Sequence, residues 1–174
     1  LLEVRYPNFQ GASDHGVSEA FYLGDPEGNG IELYRDRPKE EWIYQNGQLK
    51  MVTESLDVED LLQEASVATP LDADTTLGHL HLHVANLDQA ETFFKHFGMS
   101  VTQGDYPSAR FLAADGYHHH MGTNLWARGR TAPTESTGLL GYSIALSSER
   151  LESLSPKLTD MLGLELNLEL LTNN

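Results

Sequence analysis

The chain has 174 residues, with 11 Lys and Arg against 26 Asp and Glu, which gives a formal net charge of −15. That balance excludes a general nucleic-acid binder, because a phosphate backbone needs a cationic footprint, and it argues against attraction to anionic membrane surfaces. Hydrophobic residues make up 40% of the chain, enough for a folded core, and the absence of cysteine excludes disulfides, thiolate metal sites and cysteine nucleophiles.

Residues 1–45 read as strands and turns. Val17 to Leu23 is rich in β-formers, Gly24-Asp25-Pro26-Glu27-Gly28-Asn29-Gly30 is a dense turn signal, and Ile31 to Tyr34 is a second strand. Arg35-Asp36-Arg37-Pro38 ends it. Residues 39–56 are polar and give no decisive pattern. Asp57 to Ala65 predicts a short helix with Val58, Leu61, Leu62 and Ala65 on one face. Ser66 to Thr76 has the composition of a linker. No apolar run approaches the roughly 20 residues that span a bilayer. The opening Leu1-Leu2-Glu3-Val4-Arg5-Tyr6-Pro7 has no basic region followed by a signal-type stretch, so the expected location is cytoplasmic.

Leu77 to Val84 predicts a strand whose alternation puts His79, His81 and His83 on one face and Leu80, Leu82 and Val84 on the other. A helix follows, with Asn86 as its cap and Gln89 three residues on. Leu87, Ala90, Phe93, Phe94 and Phe97 form its apolar stripe, and Gly98 ends it. Strands are then expected at Met99–Thr102, Arg110–Ala114 and about His118–Ala127. The unit is βαβββ over about 77–127.

The pattern echoes within the chain. Ala20-Phe21-Tyr22-Leu23-Gly24-Asp25 resembles Arg110-Phe111-Leu112-Ala113-Ala114-Asp115, and each run precedes a glycine turn and another strand. Leu139 to Leu146 resembles Leu77 to Val84. It predicts a strand followed by a helix at Glu149 to Leu162, with a restart at Ser155-Pro156, an end at Gly163 and a strand at Leu164 to Leu171. Residues 1–45 thus read as the back half of a βαβββ module, 46–76 as a linker with a short helix, 77–130 as a whole module and 131–174 as the front half of another. On this reading the chain is an excerpt, incomplete at both ends.

The three-histidine strand face has two readings. It is a solvated face with the leucines and valine inward, or it lines a polar cavity where imidazole could bind a metal. Alternate residues on one strand lie roughly 6–7 Å apart, too far for all three to share one ion. A carboxylate partner would come from another strand, and Glu32 is the candidate; Glu32 and Tyr34 share a face from which Ile31 and Leu33 point away. In His118-His119-His120, strand alternation lets only His118 and His120 share a side, in a structural or supporting role.

Asp14-His15-Gly16-Val17-Ser18-Glu19-Ala20 and Asp25-Pro26-Glu27-Gly28-Asn29-Gly30-Ile31-Glu32-Leu33-Tyr34-Arg35-Asp36-Arg37-Pro38 resemble the vicinal oxygen chelate superfamily, which includes glyoxalase I, extradiol dioxygenases and bleomycin-resistance proteins. The nearer likeness is to its bacterial catechol-2,3-dioxygenase-like branch. Gly78-His79-Leu80-His81-Leu82-His83-Val84 and Gly116-Tyr117-His118-His119-His120-Met121-Gly122-Thr123-Asn124-Leu125-Trp126 resemble the family's next module. The likeness covers about residues 11–146.

The resemblance implies an α+β fold of paired βαβββ modules forming open mixed-sheet barrels. It implies a divalent metal, Fe(II) first and Mn, Zn or Ni as alternatives, held by two histidines and a glutamate. Glu32 and His79 match two of these positions. The second histidine should open the module that Glu32 closes, and that strand is missing from this sequence. The strand at Leu139–Leu146 has Gly141 at the His79 position and does not supply it. Glu32's module should pair with that of His79. Such a site also needs an acid or base beside the substrate: His15, just before the Val17-Ser18-Glu19-Ala20 strand, is the first candidate, His81 and Tyr34 are cavity-side candidates by strand parity, and His118 and His120 are further cavity candidates. The expected partner is a small molecule with vicinal oxygens; members of the family commonly form homodimers, and the oligomeric state of this chain stays open. An extradiol dioxygenase is the first reading. A glyoxalase-like isomerase or lyase, and a metal-free protein that sequesters a small molecule, stand beside it.

Overall fold

A computed structural model of the chain describes residues 8–64, 71–130, 138–154 and 157–171. It divides into two compact units, Leu1–Gly78 and His79–Asn174. Its described elements make an α+β fold of short helices and four separate open sheets. No helix among the described residues is long and apolar enough to cross a membrane.

The first unit is built on an antiparallel meander, β1 (Phe9–Asp14), β2 (Ser18–Gly24) and β3 (Gly30–Asp36), in the order β1-β2-β3. The sequence pattern predicts β2 and β3 but not β1. Gly11-Ala12-Ser13 has little β-propensity of its own, and the strand exists because it pairs with Ala20, Phe21 and Tyr22 of β2. Between β2 and β3 the turn is pinned by Asp25. Its carboxylate accepts from the backbone N–H of Glu27 and Asn29 and from the Asn29 side-chain amide at 2.7 Å. Gly28 takes φ +89°, which suits glycine.

Residues 39–56 prove structured. A 3₁₀ turn, Lys39–Glu41, leads to a hairpin of β4 (Tyr44–Gln45) and β5 (Gln48–Leu49). Asn46 and Gly47 make its two-residue loop, both with positive φ, the signature of a type I′ turn. Past the hairpin the chain runs back along the start of the meander. Val52 N–H donates to the His15 carbonyl, and Asp14 and Glu54 exchange both backbone hydrogen bonds. Helix α1 is Val58–Glu64.

The second unit opens with the βαβββ arrangement that the sequence predicts. It comprises β6 (Leu80–His83), α2 (Leu87–His96), β7 (Ser100–Gln103), β8 (Ala109–Ala113) and β9 (Met121–Asn124), in sheet order β6-β9-β8-β7 with β6 parallel to β9. Asn86 caps α2, its Oδ1 accepting from Gln89 N–H at 3.0 Å, and Gly98 follows it at φ +91°. Ala90, Phe94 and Phe97 of the helix stripe enter one core with Leu82, Val84, Leu112 and Met121. Tyr142, Ile144, Leu146, Leu166 and Leu168 from the end of the chain complete that core.

The structure corrects two expectations. The last strand of the module starts at Met121, so His118 and His120 precede it rather than alternating along it. The helix expected at Glu149–Leu162 is only α3 (Ser148–Glu152). The chain then forms β11 (Lys157–Thr159), because Leu158 pairs with Leu166 of β12 (Glu165–Leu170). The expected restart at Ser155-Pro156 lies outside the described residues. β10 (Gly141–Leu146) runs parallel to β12.

Candidate functional site

In the first unit the structure brings together His15, Tyr22 and Glu32. His15 sits in the tight turn between β1 and β2, where Asp14 Oδ1 accepts from Gly16 N–H at 2.7 Å. Its Nδ1 lies 2.6 Å from the Val52 carbonyl. A carbonyl only accepts, so Nδ1 carries a proton, and a neutral ring then offers Nε2 as acceptor. Nε2 is hydrogen bonded to the Tyr22 hydroxyl. That hydroxyl is 3.3 Å from Glu32 Oε1, and Nε2 itself is 3.8 Å from the same oxygen. The one phenolic proton can be given to Nε2 or to the Glu32 carboxylate but not to both at once, and both acceptors are partly buried.

Register explains the meeting. Tyr22 is paired with Glu32 and Ala20 with Tyr34 across β2 and β3, so Tyr22, Glu32 and Tyr34 share one face. Glu32 and Tyr34 are half-buried, whereas Ile31 and Leu33 on the other face are exposed. The Tyr34 hydroxyl lies against Gly78, where any β-carbon would fall 1.5 Å from that oxygen. Behind the His15 turn, Arg37 donates to Asp14 at 2.7 Å and to Glu19 at 3.0 Å, tying the end of β3 to the turn.

Tyr22 is the residue that sequence reasoning missed. A signal for it was present: a hairpin closed by Gly24 opposite Gly30 places residue 22 opposite residue 32.

In the second unit His81 and His83 are exposed while Leu82 and Val84 are buried, so the leucines and valine do point inward. The face is nevertheless built. The His81 ring lies between Phe111 (5.7 Å) and Trp126 (5.1 Å), above Gly122, where a β-carbon would come within 2.9 Å of the imidazole. The His79 ring lies tilted at 41° against that of His119, centroids 4.3 Å apart, and the His119 ring also meets Phe111 at 4.9 Å. His118 and His119 are both buried and share one hydrogen bond, Nδ1 to Nδ1 at 2.7 Å; one must donate and the other accept. His120 stacks on Tyr117 at 4.9 Å. At Gly141 a β-carbon would come within 2.6 Å of the Glu165 carbonyl, so the parallel pairing of β10 and β12 leaves no room for a side chain there.

Among the described residues no group of three or more His, Asp or Glu side chains is arranged to hold a metal ion. Both ring nitrogens of His15 are already engaged, by Val52 and by Tyr22. The described residues do not, by themselves, complete a metal-ligand set.

No protein-family model matches the chain, and no solved structure matches it. It is similar to a curated protein named catechol-2,3-dioxygenase from Bacillus subtilis (strain 168), with 47% identity over 145 residues, covering 78% of this chain. The chain spans about half the length of that relative, 50% of it.

Proposed function

We propose that this chain belongs to a vicinal oxygen chelate enzyme that opens the ring of a catechol-type aromatic beside one of its hydroxyls. The observation that carries the reading is the hydrogen-bonded chain His15–Tyr22–Glu32. Ring opening requires a catechol hydroxyl to lose its proton, and a base held in one tautomer beside a phenol is suited to taking it. Val52 keeps the His15 proton on Nδ1, so Nε2 and the Tyr22 hydroxyl act as one proton-holding unit. The likeness to a protein named catechol-2,3-dioxygenase supports the substrate class.

Glu32 and His79 are the residues this reading assigns as donors to a divalent metal, Fe(II) first. When bound, such a metal supplies open positions for two vicinal oxygens and for dioxygen. His81 and Tyr34 belong to the surroundings of the substrate on this reading. His118 and His120 support the His79 side of it: His118 is bonded to His119, whose ring lies against that of His79. The modules are read as pairing into open barrels.

The test is anaerobic reconstitution of the protein with Fe(II), then oxygen uptake on adding catechol. Uptake with formation of a yellow ring-opened product is expected. Isomerisation of an α-ketoaldehyde hemithioacetal without oxygen uptake would assign the protein to the glyoxalase-like class instead. Aromatic binding with no turnover would assign it to sequestration. Glu32→Ala and His79→Ala should each lose metal by elemental analysis; stoichiometric metal in either variant would overturn that ligand assignment.

A further inference from the structure

The chain contains two Asn-Gly steps, Asn29-Gly30 and Asn46-Gly47, and the fold treats them oppositely. We infer that Asn46 is a site of spontaneous covalent modification, deamidation to aspartate and isoaspartate, and that Asn29 is protected from it.

The reaction needs only the chain and water. The Gly47 amide nitrogen attacks Asn46 Cγ, a new C–N bond forms, and Nδ2 leaves as ammonia with the proton that the amide nitrogen gives up. The resulting five-membered imide is opened by water at either carbonyl. Hydroxyl goes to the carbon and a proton to the nitrogen, giving aspartate or isoaspartate. Glycine as the following residue matters because it has no side chain to obstruct the approach.

Asn29 is held away from this path. Its side-chain amide donates to Asp25 Oδ2 at 2.7 Å, its N–H donates to Asp25 Oδ1 at 2.7 Å, and its carbonyl accepts from Asp25 N–H at 2.9 Å. Gly30 is already committed to β3, paired with Gly24. The Asn29 carboxamide and its own backbone are therefore both tied down.

Asn46 has no such restraint. It is exposed, and among the described residues neither its side chain nor the Gly47 N–H has a hydrogen-bond partner. A β-carbon at Gly47 would meet nothing within 4 Å, so the loop stands in open space. The hairpin it closes has strands of two residues each, which open locally at small cost and free the loop to reach the attacking geometry. Isoaspartate would add a backbone atom to a two-residue loop and break the register of β4 with β5.

The experiment ages the folded protein at mildly alkaline pH and maps its peptides by mass spectrometry, with an isoaspartyl methyl-transfer assay alongside. Conversion at Asn46 with Asn29 intact is expected. The urea-unfolded chain should convert both steps at similar rates. The inference is overturned if Asn29 reacts as fast as Asn46 in the folded protein. It is equally overturned if folded Asn46 stays intact over a period that converts it in urea. Asp25→Ala should release Asn29 and raise its rate in the folded protein towards the unfolded one; an unchanged rate would refute the protection of Asn29 by Asp25.

Discussion

Tyr22 stands directly opposite Glu32 across the β2–β3 ladder, and its hydroxyl lies 3.3 Å from Glu32 Oε1. Directly opposed residues on one sheet face are the pairs whose side chains meet. The same hydroxyl is bonded to His15, which comes from the turn before β2. Three residues spread over eighteen positions, 15 to 32, are brought together by one hairpin register.

Tyr22→Phe tests whether that hydroxyl handles a proton. The fold should survive, since the two partly buried contacts of that hydroxyl, to His15 and Glu32, contribute about 1 kcal/mol each. On the proposed reaction, kcat with catechol should fall about 100-fold, the lower range for a positioned acid–base group. A raised KM with unchanged kcat would restrict Tyr22 to binding.

The Val52 carbonyl should hold His15 as the Nδ1–H tautomer. Nitrogen-15 NMR of the imidazole at neutral pH should show a protonated Nδ1 and an Nε2 that accepts a hydrogen bond. A dominant Nε2–H form would refute a chain in which His15 donates to Val52 and accepts from Tyr22.

Some of this was legible in the sequence and some was not, for physical reasons. The α2 boundaries were legible because Asn86 and Gly98 act locally, through a cap bond and a positive φ. The facing of Glu32 and Tyr34 was legible because strand parity is local. β1 was not, because Gly11 to Ser13 become a strand only by pairing with β2. The strand at Lys157–Thr159 was hidden for the same reason: Leu158 looks helical in its own window and is fixed by Leu166. Strand alternation would send His118 and His119 to opposite sides, yet their rings face each other in the segment before β9. The Val52–His15 contact joins residues 37 apart, and nothing in either local sequence announces it.

The Asp25 turn predicts a specific titration. The Asn29 side-chain hydrogen bond, followed by its backbone N–H bond, holds the Asp25 carboxyl below its ordinary value of 3.8. The folded pKa is thus lower than the unfolded one. Its contribution to stability is present above the unfolded value and is lost as pH falls through the folded one. Carbon-13 NMR should find Asp25 below 3.8, and Asn29→Ala should move it back up. An Asp25 pKa unaffected by that substitution would show that Asn29 is not the cause.

Gly141→Ala should destabilise the second unit. The new methyl would sit 2.6 Å from the Glu165 carbonyl, a backbone atom that cannot swing aside. Overpacking of this kind costs about 1–3 kcal/mol, readable by urea unfolding. Full stability in the variant would mean that β10 and β12 can separate without loss.

The buried pair Tyr142–Asp160 predicts how the same unit responds to alkali. Tyr142 donates to Asp160 Oδ2 at 3.0 Å, and Asp160 Oδ1 accepts from the N–H groups of Leu162 and Leu164. Burial, and then the Asp160 charge, push the Tyr142 phenol well above its ordinary value. Its folded pKa is higher than its unfolded one, so its stabilisation is fully present below about pH 10 and is lost as pH rises further. Tyr142→Phe deprives a buried carboxylate of a donor and should cost about 1.5–3 kcal/mol at neutral pH, the range for hydrogen bonds to charged groups. It should also flatten the alkaline fall, because no phenol remains to ionise at that position. Urea unfolding of both proteins across neutral to alkaline pH reads the two effects together. The curves should converge as pH rises; a constant gap between them would show that Tyr142 packs in the core without carrying the pH dependence.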